Sequence, residues 1–85
     1  MHSQVVTLRN ATGLHARPAT QFVKMASSFR SDISIGVAEK SGDAKSILQV
    51  LSLGAARGAQ IKITAEGDDE KEAVEKLLML IENLA

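Results

Sequence analysis

Residues 12–19 read Thr-Gly-Leu-His-Ala-Arg-Pro-Ala, and the organisation of the chain follows outward from them. The stretch contains His15, one of two histidines, and Pro18, the only proline. Pro18 suits the first turn of a helix, where a missing N–H costs nothing because the donors there are unpaired. We therefore predict that a helix begins at His15. Its free N–H groups and the positive end of its dipole would suit a bound phosphoryl group.

The segments on either side predict alternating strands and helices. Apolar residues alternate in the strand-like segments and recur at helical spacing in the others. The predicted strands are residues 4–9, 33–37, a weakly indicated 39–43, and 60–65; the predicted helices are 16–28, 46–54 and 68–84. The order is β-α-β-β-α-β-α, an α+β fold. Because the strands alternate, we expect helices on one face of the sheet and solvent on the other.

Helical spacing also predicts which residues face the core and where helices begin. The expected buried stripes are Ala16, Ala19, Phe22, Val23 and Ala26 in the first helix, and Ala73, Val74, Leu77, Leu78, Ile81 and Leu84 in the last. Ser46 is the predicted N-cap of the middle helix and Gly54 its end. Asp69 and Glu72 have the spacing of a capping box.

Composition narrows the class of protein. The 85 residues suit one domain, 1–85, with 45% hydrophobic and 24% charged residues. Zero formal net charge and only two aromatics argue against nucleic-acid binding. The absence of cysteine excludes disulfides and thiolate metal sites and favours a cytoplasmic protein. No apolar run approaches the ~20 residues of a membrane span, and we expect no signal peptide.

His15 and Arg17 are the candidate phosphate site. Gly13 would let the chain bend where a Cβ would clash, and the Arg17 guanidinium could reach a phosphate. The N–H groups of Ala16 and Arg17 would add donors. The sequence has no nucleotide-binding glycine loop, no second histidine near His15, and no adjacent carboxylate for acid–base chemistry. His2 is expected to be incidental, in a frayed end. These features favour a carrier without cofactor or metal, although a lone histidine at a helix start is more often a simple surface cap.

Two segments resemble signatures of the HPr family, the histidine-containing phosphocarriers of the bacterial phosphoenolpyruvate-dependent sugar phosphotransferase system. They are residues 13–19 and residues 45–54, Lys-Ser-Ile-Leu-Gln-Val-Leu-Ser-Leu-Gly. The resemblance spans the chain and implies an open-faced β-sandwich with strand order 1-4-2-3 under three helices. It implies that His15 accepts a phosphoryl group on Nδ1 from phosphorylated Enzyme I and passes it to the IIA domain of a sugar-specific Enzyme II. Arg17, Thr12 and Ala16 would cradle that group. The resemblance also implies a monomer that is acted on by its partners and is not itself an enzyme.

The resemblance gives Ser46 a second candidate role. In many members of the family the serine at this position is phosphorylated by a dedicated kinase/phosphorylase. That kinase and a transcriptional regulator are thus further candidate partners. A phosphate on Ser46 would add negative charge at a helix N-terminus. The candidate docking surface comprises Thr20, Lys24, Ser27, Ile47, Leu48 and Leu51, of which each apolar member could instead belong to the core.

Several alternatives remain open at the level of sequence. A paralogue serving a nitrogen-related phosphotransfer branch would keep His15 but use other partners. A non-covalent α/β binding module would use His15 only as a helix cap. A small hydrolase with His15 as general base is disfavoured because no partner group is evident, and a purely regulatory relative would lack the histidine. The sugars served lie outside what this sequence specifies.

Overall fold

A four-stranded antiparallel sheet and three helices make up residues 1–84, the part of the chain that the computed structural model describes. The elements are β1 (His2–Thr7), α1 (Ala16–Ser27), β2 (Asp32–Val37), β3 (Lys40–Asp43), α2 (Ile47–Ser52), β4 (Gln60–Glu66) and α3 (Glu70–Glu82). The strand order is β1-β4-β2-β3, so β4 pairs with both the first strand and β2. The predicted α+β class, element order and strand order are confirmed.

The central strand β4 shows why one face of the sheet is covered. Ile61, Ile63 and Ala65 are fully buried, whereas the intervening Lys62 is exposed, since successive side chains point to opposite faces. Phe22 of α1 is fully buried in the same core. Burying a side chain of this kind contributes about 1.5–3 kcal/mol. The helices therefore cover the apolar face of the sheet. The burial of Phe22 in the shared core fixes the position of α1 relative to the sheet.

Some predicted boundaries and burial assignments are wrong. The first strand begins at His2, which pairs with Ala65, so this histidine does not lie in a frayed end. By contrast, the predicted end of the middle helix is confirmed: the helix ends at Ser52 with Leu53 as C-cap, and Gly54 follows with the left-handed φ of 63° that stops it. Ala16 is exposed rather than buried, because it lies in the first turn of α1, at the surface where the helix begins.

Asp69 is the N-cap of α3, but the predicted capping box with Glu72 does not form within residues 1–84. Its carboxylate instead accepts hydrogen bonds from the backbone N–H groups of Arg30, at 2.9 Å, and Ser31, at 3.0 Å. The Ser31 hydroxyl donates to it as well. The Asp69 side chain thus accepts hydrogen bonds from the loop between α1 and β2 instead of from the N–H groups of its own helix.

These hydrogen bonds predict an acid-dependent loss of stability. The Ser31 hydroxyl and then the Arg30 N–H hold the pKa of Asp69 below its ordinary value of 3.8. Because the folded pKa lies below the unfolded one, the carboxylate stabilises the fold above pH ~4, and that contribution is lost as the pH falls through the lowered pKa. In urea unfolding from pH ~5 to ~2, Asp69→Asn should therefore lose less stability than the parent chain.

Asp69→Asn should keep some acid sensitivity, because Glu70 is a second carboxyl with a lowered pKa. The N-terminal ammonium lies 2.9 Å from Glu70 Oε2 and lowers the pKa of that carboxyl. Asp68→Asn is the matched control, because Asp68 is exposed and is not hydrogen-bonded through its side chain within residues 1–84. Equal acid slopes for Asp69→Asn and the parent chain would contradict the role given to Asp69.

Candidate functional site

The backbone places His15 at the start of α1, as predicted. His15 is the N-cap, with extended φ and ψ of −102° and −161°, and its carbonyl accepts the Ala19 N–H at 2.8 Å. Ala19 is the first intrahelical donor and Pro18 has no N–H, so the N–H groups of Ala16 and Arg17 have no intrahelical partner. The imidazole is exposed and makes no cap hydrogen bond within residues 1–84. Both the ring and the neighbouring donors are therefore free to meet a ligand.

The loop before His15 is held by the segment that follows α2. Leu14 is buried and its N–H donates to the Ala55 carbonyl at 2.9 Å. Gly13 has a left-handed φ of 69°, and a Cβ there would lie 2.5 Å from the Ala55 oxygen and 2.9 Å from Ala56 Cα. The predicted need for glycine at position 13 is confirmed by both its φ and this close approach. The His15 backbone is thus anchored from one side by a segment forty residues away in sequence (His15 to Ala55).

One shallow depression brings together every residue of the predicted phosphate site. Its lining comprises Thr12, His15, Ala16, Arg17, Pro18, Gln21 and Leu84. Sequence reasoning missed Gln21 and Leu84 as neighbours of His15. Gln21 lies four residues, about one helical turn, after Arg17 and could have been found from helical spacing. Leu84 belongs to the chain end after α3, and no local pattern links it to residue 15.

The predicted docking residues lie on two helices that pack against each other, α1 and α2. Ile47, Leu48 and Leu51 are exposed by 36%, 77% and 38%, respectively, while Val50 between them is fully buried. The alternative that these three residues belong to the core is therefore excluded. Thr20, Lys24 and Ser27 are all exposed on α1. These six exposed residues, three polar ones on α1 and three apolar ones on α2, are what we call the docking surface.

Ser46 is the N-cap of α2, as predicted, and its hydroxyl accepts the Gln49 N–H at 3.4 Å. Two further contacts that the sequence did not indicate fix this helix. The Asp43 N–H donates to Gln49 Oε1 at 2.7 Å, and Lys45 Nζ donates to the Phe29 carbonyl at 2.9 Å. The first contact joins α2 to the strand just before it, and the second reaches a residue sixteen positions earlier, after the end of α1. Ser46 is half-buried and directly precedes Ile47 of the docking surface.

The described residues 1–84 contain no cluster of three or more His, Cys, Asp or Glu side chains that could hold a metal ion. Over the same span, no helix has the length and hydropathy needed to cross a membrane.

Comparison with known proteins gives consistent matches over nearly the full chain. The family model described as "PTS HPr component phosphorylation site" matches residues 2–83. The phosphocarrier protein HPr of Haemophilus influenzae is 43% identical over 84 residues, which cover 99% of each chain. The crystal structure of HPr-C-His from Thermoanaerobacter tengcongensis superposes with a TM-score of 0.93 at 48% identity, covering 96% of this chain and 92% of that one. A phosphocarrier HPr structure from Bacillus anthracis gives 0.89 at 40% identity, with 93% and 94% covered.

Proposed function

The chain belongs to the HPr family of phosphocarriers of the phosphotransferase system, and we propose that it carries the phosphoryl group on His15. The observation that supports this most directly is the exposed imidazole at the N-cap of α1, without a cap hydrogen bond in residues 1–84. A histidine used only as a structural cap would accept a helix N–H. Here the ring is left free, and the unpaired donors beside it suit an anion.

The proposed chemistry is phosphoryl transfer to and from His15. The Nδ1 lone pair of His15 attacks the phosphorus of phosphorylated Enzyme I, and a P–N bond forms as the bond between phosphorus and the Enzyme I group breaks. In a second transfer, a nucleophile of a IIA domain attacks the phosphorus, and the P–N bond to His15 breaks. Phosphoryl transfer depends mainly on positioning and on stabilising charge on the equatorial oxygens. The N–H groups of Ala16 and Arg17, the Arg17 guanidinium and the Thr12 hydroxyl are the donors we assign to those oxygens.

The docking surface fits this role. A protein that receives a group from one partner and gives it to another needs contacts that form and separate quickly, and small interfaces with an apolar centre and polar margin behave in this way. Leu48, the most exposed of the three apolar residues on α2, would lie near the centre of such a contact. We therefore assign both Enzyme I and the IIA domain to this surface, in turn, within the cytoplasm.

The experiment that tests the proposal uses the purified chain with phosphoenolpyruvate and Enzyme I. Mass spectrometry should detect the mass of one added phosphoryl group, in an acid-labile form. Arg17→Ala should form the adduct more slowly by about tenfold or more, because a charge-assisted donor is lost, while melting within a few degrees of the parent chain. No adduct on the parent chain would refute the carrier function. Unfolding of Arg17→Ala would make Arg17 a structural residue instead.

We further propose that phosphorylation of Ser46 regulates docking. The modification would place about −1.5 to −2 charges directly before Ile47 of the docking surface, at the N-terminus of α2. That position favours the helix but opposes an acidic partner. Chain phosphorylated at Ser46 should accept the phosphoryl group on His15 at a rate reduced by about tenfold or more. The measurement is the initial rate of His15 phosphorylation, and an unchanged rate would remove Ser46 from regulation.

A further inference from the structure

The buried side chain of Asn10 ties the His15 loop together from the inside. Asn10 is 5% exposed and its Nδ2 donates to the Gly13 carbonyl at 2.9 Å. The same Nδ2 lies 3.4 Å from Thr12 Oγ1. The Asn10 carbonyl also accepts the Gly13 N–H at 3.2 Å. One residue therefore fixes both chain direction at Gly13 and the side chain of Thr12.

The orientation of the Asn10 amide is determined by the hydrogen bond from its Nδ2, because its Oδ1 has no partner in the described part of the chain. Asn10 Oδ1 is buried and has no hydrogen-bond partner within residues 1–84. A buried, unpaired acceptor is unfavourable, and such groups are uncommon in folded proteins. Rotating the amide would bring Oδ1 to the Gly13 carbonyl and set two acceptors against each other. The amide is thus held with its NH₂ toward residues 12 and 13, although its oxygen remains unsatisfied.

The contact with Asn10 leaves the Thr12 hydroxyl with a proton to donate. A threonine hydroxyl has one proton and two lone pairs. When Thr12 Oγ1 accepts from Asn10, its own proton remains free to donate elsewhere. Thr12 lines the same depression as His15 and Arg17, so its hydroxyl proton is available to a group bound there.

We propose that Asn10 is a positioning residue for the phosphoryl group: it fixes the Gly13 bend and directs the Thr12 hydroxyl proton toward His15. The inference rests on the proposed carrier function, and it deepens that function by adding a residue that never touches the phosphoryl group. It predicts that the effect of Thr12 on transfer depends on Asn10. A purely structural Asn10 would give effects independent of Thr12.

The test is a double-mutant cycle on the rate of His15 phosphorylation by phosphorylated Enzyme I, measured by rapid quench. Thr12→Val removes the hydroxyl but keeps the shape, and Asn10→Ala removes the donor together with its unpaired oxygen. Each single variant should slow phosphorylation by about fivefold, and the double variant by clearly less than the roughly twenty-five-fold that independent effects would give. Fully multiplicative effects would overturn the proposal.

A second readout keeps the inference separate from the carrier function. In unphosphorylated Asn10→Ala, hydrogen exchange at the Leu14 amide should speed up by about tenfold, while exchange at the core residue Ile63 stays unchanged. Unchanged exchange at Leu14 would overturn the inference even if the parent chain is phosphorylated. A parent chain that takes no phosphoryl group, with faster Leu14 exchange in the variant, would refute the carrier function instead. Ser31→Ala, which loosens the distant Asp69 contact, is the control for general destabilisation.

Discussion

His15→Ala is expected to abolish phosphoryl acceptance, with the rate falling by at least about a thousandfold. Loss of the attacking nitrogen cannot be compensated by the donors of the depression, because they stabilise charge without forming a bond to phosphorus. The fold should tolerate the change, since the imidazole is exposed and makes no cap hydrogen bond within residues 1–84. The melting temperature should shift by no more than about 3 °C. Phosphorylation kinetics and calorimetry on the same preparation give both values.

His2→Ala is the control for this experiment. His2 lies in β1, paired with Ala65, and it does not line the depression that contains His15. The His2 variant should therefore accept the phosphoryl group at the parent rate. A His15→Ala chain that still gains an acid-labile phosphoryl group would move the carrier site away from α1.

Gly13→Ala should cause the largest loss of stability among the changes considered, about 2–5 kcal/mol. Two effects add at this position. A left-handed φ costs a residue with a Cβ about 1–2 kcal/mol. The new Cβ would also lie 2.5 Å from the Ala55 oxygen, so the loop or the segment after α2 must move. Movement of either would break the hydrogen bond from Leu14 to Ala55, and phosphoryl acceptance should fall with stability.

Gly54→Ala separates the two effects. Gly54 has nearly the same left-handed φ, 63° against 69°, but nothing in residues 1–84 lies within 4 Å of a Cβ built there. Its variant should lose only the about 1–2 kcal/mol of backbone cost. Urea unfolding of both variants measures the difference, which isolates the contact with Ala55. Equal losses at the two glycines would show that the close approach at Gly13 relaxes without cost.

The sequence predicted those parts of the fold that depend on local periodicity. The alternation at 60–65 and the helical stripe around Phe22 identified β4 and α1, because burial imposes a period of 2 or 3.6 on the residues themselves. Ser46 and Gly13 were also identified from local geometry. The strand order β1-β4-β2-β3 followed only from the resemblance to a known family, since pairing between distant strands leaves no mark in either strand alone.

One prediction that failed, the capping box of α3, involves a side chain with a choice of partner. Asp69 has the spacing of a capping box, yet its carboxylate accepts from Ser31 and Arg30, which are far away in sequence. A capping pattern describes only the donors within one helix. It contains no information on competing donors that the fold brings close. Leu84 and Asn10 were missed for the same reason: their positions beside the His15 loop depend on how the whole chain closes.

The pairing of β1 with β4 limits which contacts can form while the chain is being synthesised. Residue 2 meets residue 65, and the Leu14 N–H meets Ala55, so neither contact can form before most of the chain has left the ribosome. Contacts of such long range also slow folding relative to helical bundles of similar size. A nascent chain that has produced only α1 carries His15 without its anchored loop. The phosphate site therefore forms late in folding. A chain that accepts a phosphoryl group on His15 is one in which these long-range contacts have already formed.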